Sequence, residues 1–311
     1  MRWRLKSLVQ RACAALPVGN EQAYYGLQSM LGSLRRLPPP WERDMLRAAA
    51  SLASWLREAG NAVEGSRVME VGTGRWIDLP LGFFLCGARS VDTFDLHPYL
   101  KASLVEQSAR LIGDAAAKVE ELFLPVANPE TIGQRLRVVR EARGAADLME
   151  KAAIRYHAPA DAAATGLPGG SIDVHTSYTV FEHIPAATLT DILLEARRLL
   201  APGGVVLHHI DLSDHFSHDD PRIPAIHFLR FSDAEWERHG GNQFGYHNRL
   251  RVNEYRRIFE SCGFEILRFR ESVDRRSMEL LASGFSIDDR FRGLPPEVMC
   301  CSVFRVLAKP C

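Results

Sequence analysis

The sequence predicts an α/β protein built on a mainly parallel sheet with helices on both faces. Short apolar runs of strand length alternate with segments of helical period from about residue 65 onward. Helices between successive strands make parallel crossovers rather than hairpins. The first two runs, "RVMEVG" (67–72) and "SVDTFD" (90–95), close in a glycine and an acid, residue types suited to the ligand-facing carboxyl edge of such a sheet.

Residues 1–64 read as an N-terminal helical cap. Three prolines in "LPPP" (37–40) stop one helix, and "WERDMLRAAASLASWLREAG" then runs at helical period with Gly60 as its C-cap. Residues 65–311 form the main domain. After the first strand, "IDLPLGFFLCGA" (77–88) is a helix. The second strand is followed by helix "PYLKASLVEQSARLI" (98–112) and a helical insertion over 113–152. Strands are expected at 153–158, 171–178 and 205–211, with helix 186–200 ended by Pro202-Gly203-Gly204. A polar, aromatic insertion covers 213–251. Helix 252–263, strand 264–270 and a last strand at 298–308 complete a seven-stranded sheet.

Lys plus Arg and Asp plus Glu number 38 each, so no net field draws the chain to nucleic acid. The six cysteines show no CxxC pair and fit reduced thiols in a cytoplasmic protein. Gln10 and Arg11 interrupt the apolar stretch that a signal peptide needs, and no run of 18 apolar residues exists to span a membrane. The basic start has two readings: a helix packed on the protein body, or a peripheral membrane helix with Trp3, Leu5, Leu8 and Val9 on its apolar side.

In "EVGTGRW" after the first strand, Gly72 and Gly74 permit a tight turn and close approach of a ligand, and Glu70 offers a carboxylate. Asp95 ends the second strand, where a carboxylate can accept from two ribose hydroxyls. A G-x-G-x-x-G fingerprint is absent, since its third glycine position is Ile77. These residues resemble the class I S-adenosylmethionine-dependent methyltransferases, from about Arg67 to Gly204 and more loosely beyond. "VMEVGTG" looks like that family's first motif. "HAPADAAATGLPGGSIDVHTSYTVFEHI" (157–184) is similar to its adenine-side acid, fourth strand and following Glu-His, and "LLAPGGVVLHHID" to its turn into strand five.

The resemblance implies a Rossmann-like sheet and S-adenosyl-L-methionine as cofactor. It implies Glu70 near the methionine amino group and Gly72, Thr73 and Gly74 along the methionine. Asp95 with Leu96 is implied at the ribose, Asp161 and Ala162 at the adenine edge, and Ser177 and Tyr178 near the sulfonium. One departure is Trp76, where many members carry another glycine. A blocked cofactor site, leaving a non-methylating or inactive scaffold, is the alternative that Trp76 raises.

Thirteen residues, 208–220, hold four histidines and four aspartates. They follow strand five, where the acceptor of the methyl group is expected. Strand alternation puts His209 and Asp211 on one face and His208 on the other. His209 supported by Asp211, or the loop residue His215, is the candidate general base, because imidazole titrates near working pH. Glu182, His183, His218, Tyr246 and Arg249 are candidate acceptor contacts, and Arg249 or Arg251 could hold an anionic group. His209, Asp211, His215 and His218 also have ligand types suited to zinc, but their spacing matches no tight metal signature and assigns none. The expected acceptor is a small molecule or a cell-surface glycan or lipid precursor.

Overall fold

A computed structural model describes residues 2–19, 23, 25–27, 45–242 and 244–311. The "LPPP" stop, and Tyr24 and Gln28 of the expected cap, lie outside the described residues. Helix α1 is Trp3–Ala14 and α2 is Met45–Glu58. Strand β1 (Arg67–Val71) leads to α3 (Asp78–Leu85), and β2 (Ser90–Phe94) to α4 (Ala102–Asp114). Three further helices, α5 (Ala116–Phe123), α6 (Pro129–Glu141) and α7 (Ala145–Lys151), fill the expected insertion. Then come β3 (Ile154–His157), β4 (Ile172–Tyr178), α8 (Ala186–Leu199) and β5 (Leu200–Asp211). The C-terminal part adds α9 (Asp233–Gly240), α10 (Val252–Ser261), β6 (Phe264–Val273), α11 (Arg275–Ala282), α12 (Pro296–Cys300) and β7 (Cys301–Pro310).

The seven strands are ordered β3-β2-β1-β4-β5-β7-β6. β1 to β5 are parallel, and β7 runs antiparallel between β5 and β6. Strand order reverses between β1 and β4, so a crevice opens there beyond the carboxyl ends. Alternation divides each strand between two cores. Val68, Val91, Val174 and Leu207 face α2 through α7, whereas Met69, Phe94, Val206 and Phe304 face α8 and α10. Leu46, Leu52, Trp55 and Leu56 of α2 are buried in the first of these cores, so α2 is one of the layers that cover the sheet. A third cluster around Phe216, Phe228, Trp236 and Phe291 lies under the segment after β5.

Several boundaries differ from expectation: the helix expected from 98 begins at Ala102, and β6 runs on to Val273 rather than 270. β5 begins at Leu200 rather than 205. The last strand begins at Cys301, because Pro295 and Pro296 start a short helix over Pro296–Cys300, and proline at a first helical position suits that turn. Helix α9 carried a readable signal, "SDAE": Ser232 and Glu235 form a reciprocal capping box.

α1 docks through one side only. Trp3 packs against Phe216 and His227, while Leu5 and Leu8 are exposed. The side drawn for a membrane is therefore divided, with its aromatic anchor turned inward. No helix among the described residues is long and apolar enough to cross a membrane.

Candidate active site

The loop after β1 is organised from beneath by a buried polar chain. Thr93 on β2 donates to Glu70 Oε2 and shares a hydrogen bond with the Thr73 hydroxyl. All three side chains are buried. Burial pushes the Glu70 carboxyl up to about 7, against the Thr93 donor and reinforced by the charge of Asp95. Glu70 thus organises the loop from inside the fold.

Gly72 has φ +85°, and a Cβ there would lie 2.5 Å from Cγ2 of Val180, in the turn after β4. The missing side chain lets these two loops touch. Gly74, at φ +64°, faces open space instead. Its amide donates to Asp95 Oδ2 at 2.7 Å, and the His97 amide donates to Oδ1 at 3.0 Å. Two backbone donors fix the Asp95 carboxylate at the mouth of the crevice.

The loop after β3 joins the same place. The Ala160 amide donates to the Asp95 carbonyl at 3.0 Å. Asp161 is exposed and turns the loop by accepting from the Ala163 amide at 2.8 Å, beside the buried Ala162. Leu96 stands 65% exposed next to Asp95. An apolar side chain open to solvent, flanked by two carboxylates, suits a flat base joined to a ribose. The open side of Gly74 leaves room alongside, and Trp76 is only partly buried.

Ser177 and Tyr178, expected near the sulfonium, both have partners on β5. Ser177 is fully buried and its hydroxyl meets His208 Nδ1 at 2.8 Å. Tyr178 stacks on His209, rings 4.2 Å apart and 5° from parallel. The two β5 histidines are packed on opposite faces. His208 lies against Phe181 at 4.1 Å and near His175 Nδ1 at 3.4 Å; burial holds it well below the usual histidine range. His209 contacts Arg305 Nη2 at 3.4 Å, and burial together with that cation pushes it down to about 4.

Asp211 serves other partners than His209. Its Oδ1 accepts from the Ser213 amide and hydroxyl at 2.8 and 2.6 Å. Its Oδ2 lies 3.5 Å from Nε2 of both His215 and His218. Strand residues two apart are separated by roughly 6.6 Å, whereas the loop after β5 bends back and lays His215 and His218 over the carboxylate. Burial would raise Asp211, but His215 and Ser213 bring it down to about 2.

Two further loops meet this one. His183, in the 3-10 turn Phe181–His183, has Nδ1 2.9 Å from the Tyr246 carbonyl, so Tyr246 contributes its backbone. The His247 ring stands edge-on to His215 at 3.8 Å and to His183 at 4.7 Å. Burial, then the nearby His215 and His183, holds His247 well below the ordinary value and therefore neutral. Glu182 is 2% exposed, and neither oxygen has a well-aligned hydrogen-bond partner, although the amides of Glu182 and Asp211 lie close. Burial raises its carboxyl well above the usual range. A cavity of about 130 Å³ opens here, walled by Lys6 and Gln10 of α1 together with His183, Asp214, His215 and His247.

Neither arginine considered for an anionic group has a guanidinium to offer. Arg249 is 3% exposed and donates to the carbonyls of Phe228 and Phe231 at 2.9 and 2.6 Å, and to Asp233. Arg251 is fully buried and donates to the carbonyls of Leu212, Val298, Met299 and Cys301. Both fasten the loop that carries His247. His247 lies in the aromatic, polar segment expected to face the acceptor, but its partnership with His183 and His215 arises only through tertiary folding.

The family model for a methyltransferase domain matches residues 41–268. The chain belongs to this family. Its cofactor is S-adenosylmethionine. The methyltransferase is similar in fold to several solved structures. Magnesium protoporphyrin IX methyltransferase from Synechocystis PCC 6803, with bound S-adenosylhomocysteine, is 14% identical over 93% of this chain and 94% of that one, TM-score 0.45. Geranyl diphosphate methyltransferase in complex with S-adenosylmethionine is 12% identical over 97% and 95%, TM-score 0.46. The (4+2)-cyclase SpnF is 15% identical over 93% and 94%, TM-score 0.48. No curated protein matches the chain.

Proposed function

We propose that this methyltransferase acts on a small hydroxylated molecule, free or as part of a glycan or lipid precursor, seated in the imidazole-walled chamber beyond β4 and β5. One observation carries the reading: His183, His215 and His247 line a cavity at the sheet's carboxyl edge, with His218, Asp211 and Glu182 gathered against His215. Bound in the crevice, the cofactor supplies an electrophilic methyl group on sulfur. Asp95, Leu96, Gly74 and Asp161 are suited to hold its adenosine part. The chamber residues orient the acceptor, which matters most in a direct displacement. His215, with Asp211 3.5 Å away, is the imidazole best positioned to draw on an acceptor hydroxyl. With Arg249 and Arg251 bound to carbonyls and Lys6 paired to Asp219 at 2.5 Å, the wall favours a hydroxyl over a phosphate. The cysteine pattern supports a reducing, cytoplasmic setting. Any membrane contact of α1 falls to Leu5 and Leu8, and anionic vesicles that sediment the Leu5→Ser/Leu8→Ser variant as well as the parent chain would remove it.

The test is calorimetric titration with S-adenosylhomocysteine, then methyl transfer to a panel of hydroxylated acceptors. Asp95→Ala should lose the ligand heat. His215→Ala should keep the ligand heat and lose transfer. Unchanged transfer by His215→Ala rules out this use of the chamber, and absence of ligand heat in folded parent protein favours the scaffold alternative.

A further inference from the structure

The chamber contains more nitrogen ligands than an acceptor site needs. The ligand atoms of His183, His215 and His247 all lie within 4.8 Å of one another, and so do those of Asp211, His215 and His218. His215 belongs to both groups. We propose that the chamber is a binding site for a divalent transition-metal ion of the zinc class, held by the imidazoles of His183, His215 and His247 with the carboxylate of Asp211. The role of this ion, to take an acceptor oxygen as a fifth ligand so that His215 acts on the acceptor through the ion, rests on the function proposed above; the site itself does not.

Unpaired buried atoms support it first. Nε2 of His247 and Nε2 of His215 are both buried without a hydrogen-bond partner. His215 Nε2 lies 3.5 Å from Asp211 Oδ2 and 4.0 Å from Glu182 Oε1, without the alignment of a hydrogen bond. A folded protein rarely leaves such atoms unpartnered, and a bound ion is one recognised reason for the exception. These atoms belong to one group, not to scattered sites.

The second support is orientation. With Nδ1 of His183 donating to the Tyr246 carbonyl at 2.9 Å, the lone pair remains on Nε2. Metal-ligating histidines are fixed in this way, through the other ring nitrogen. Asp211 is fixed similarly, since Ser213 takes Oδ1 and leaves Oδ2 toward the imidazoles. The Asn248 side chain anchors the His247 loop to the turn that carries His183, donating to the Phe181 and Ile184 carbonyls at 2.8 and 2.9 Å.

The donor set selects the ion. Three imidazoles and one carboxylate suit Zn²⁺ and its neighbours in the first transition row, whereas Mg²⁺ and Ca²⁺ favour oxygen ligands. Zn–N bonds of about 2.0–2.1 Å place tetrahedral ligand atoms roughly 3.4 Å apart, so side-chain rotations of modest size close the three imidazoles from within 4.8 Å, and Asp211 reaches the ion from beside His215. Among the described residues the cation on the wall is Lys6, which is paired with Asp219. His209 has a suitable ligand type, but its ring is engaged with Tyr178 and Arg305.

The experiment uses the full chain after treatment with a chelator. Titration with Zn²⁺ alone is expected to show one equivalent bound, and Co²⁺ in its place to give visible absorption bands of an imidazole-ligated ion. His183→Gln, at an exposed position, and His247→Ala should each weaken Zn²⁺ binding at least tenfold. Both variants should retain S-adenosylhomocysteine binding, which certifies their fold and separates a failed metal site from a failed methyltransferase assignment. No stoichiometric Zn²⁺ binding by the parent chain overturns the proposal. So does equal Zn²⁺ affinity in His183→Gln, or in a His247→Ala variant that still binds S-adenosylhomocysteine.

Discussion

Gly72 and Gly74 stand two residues apart in one loop, and their replacement by alanine should have opposite consequences. At Gly72 the new Cβ meets Val180 Cγ2 at 2.5 Å and Cγ1 at 2.8 Å. Carbon atoms prefer about 3.5–4.0 Å, so Val180 must retreat by roughly 1 Å. Overpacking of this kind costs about 1–3 kcal/mol. The left-handed backbone at φ +85° adds about 1–2 kcal/mol for any residue with a Cβ. Gly72→Ala should therefore lose about 2–5 kcal/mol of stability. Gly74→Ala meets no atom within 4 Å and should lose only the backbone part, about 1–2 kcal/mol. Its Cβ, however, projects into the crevice, so S-adenosylhomocysteine affinity should drop at least tenfold. Urea unfolding and calorimetry read the two effects separately. A double-mutant cycle adds the decisive check. Val180→Ala removes both clashing methyl groups, so combined with Gly72→Ala it should show a favourable coupling of about 1–3 kcal/mol. Equal stability of the two glycine variants, or no coupling to Val180, refutes the argument that the loops touch through Gly72.

Three further outcomes are expected. Glu70 is raised in the folded chain from 4.5 to about 7, so its stabilising effect is complete below pH 4.5 and lost as pH rises through 7. The unfolding free energy of the parent minus that of Glu70→Gln should fall by about 3 kcal/mol between pH 4.5 and 8 without ligand, and a flat difference contradicts the raised carboxyl. Arg251→Ala strands the carbonyls of Leu212, Met299 and Cys301 and should cost about 3–5 kcal/mol by denaturant titration, with little recovery in Arg251→Lys, whose ammonium cannot span the fork. Asn248→Ala releases the Phe181 and Ile184 carbonyls and the Tyr255 hydroxyl. It should lower acceptor turnover more than S-adenosylhomocysteine affinity, and equal losses in both would contradict a role confined to the chamber.

The sheet was legible because its signals are local. β1, β2 and β4 each carry a short apolar run bounded by a turn, and each begins and ends within a residue of expectation. Asp95 and Gly74 were legible for the same reason, because a strand end and a two-glycine turn need no distant partner to be recognised. The chamber was only half legible. The histidines after β5 announced it, but which of them act together depends on how loops close. Alternation correctly separated His208 from His209, yet it could not reveal that Tyr178 and Arg305 occupy His209. Arg249 was misread because an arginine among aromatics suggests recognition, while its buried carbonyl partners are 18 and 21 residues away. His183 and His247 are 64 positions apart in sequence, and no periodicity brings them together.

The ceiling of the chamber has a history as well as a shape. Ser7 of α1 donates to the His239 carbonyl, 232 residues later, and Gln10 to that of Phe244, 234 residues later. Contacts of such separation bear a heavy loop-closure cost and tend to form late. On the ribosome, α1 must wait for more than 230 further residues before the surface it will cover has been made. The sheet and its glycine turn can therefore mature while the imidazole pocket still lies open to water.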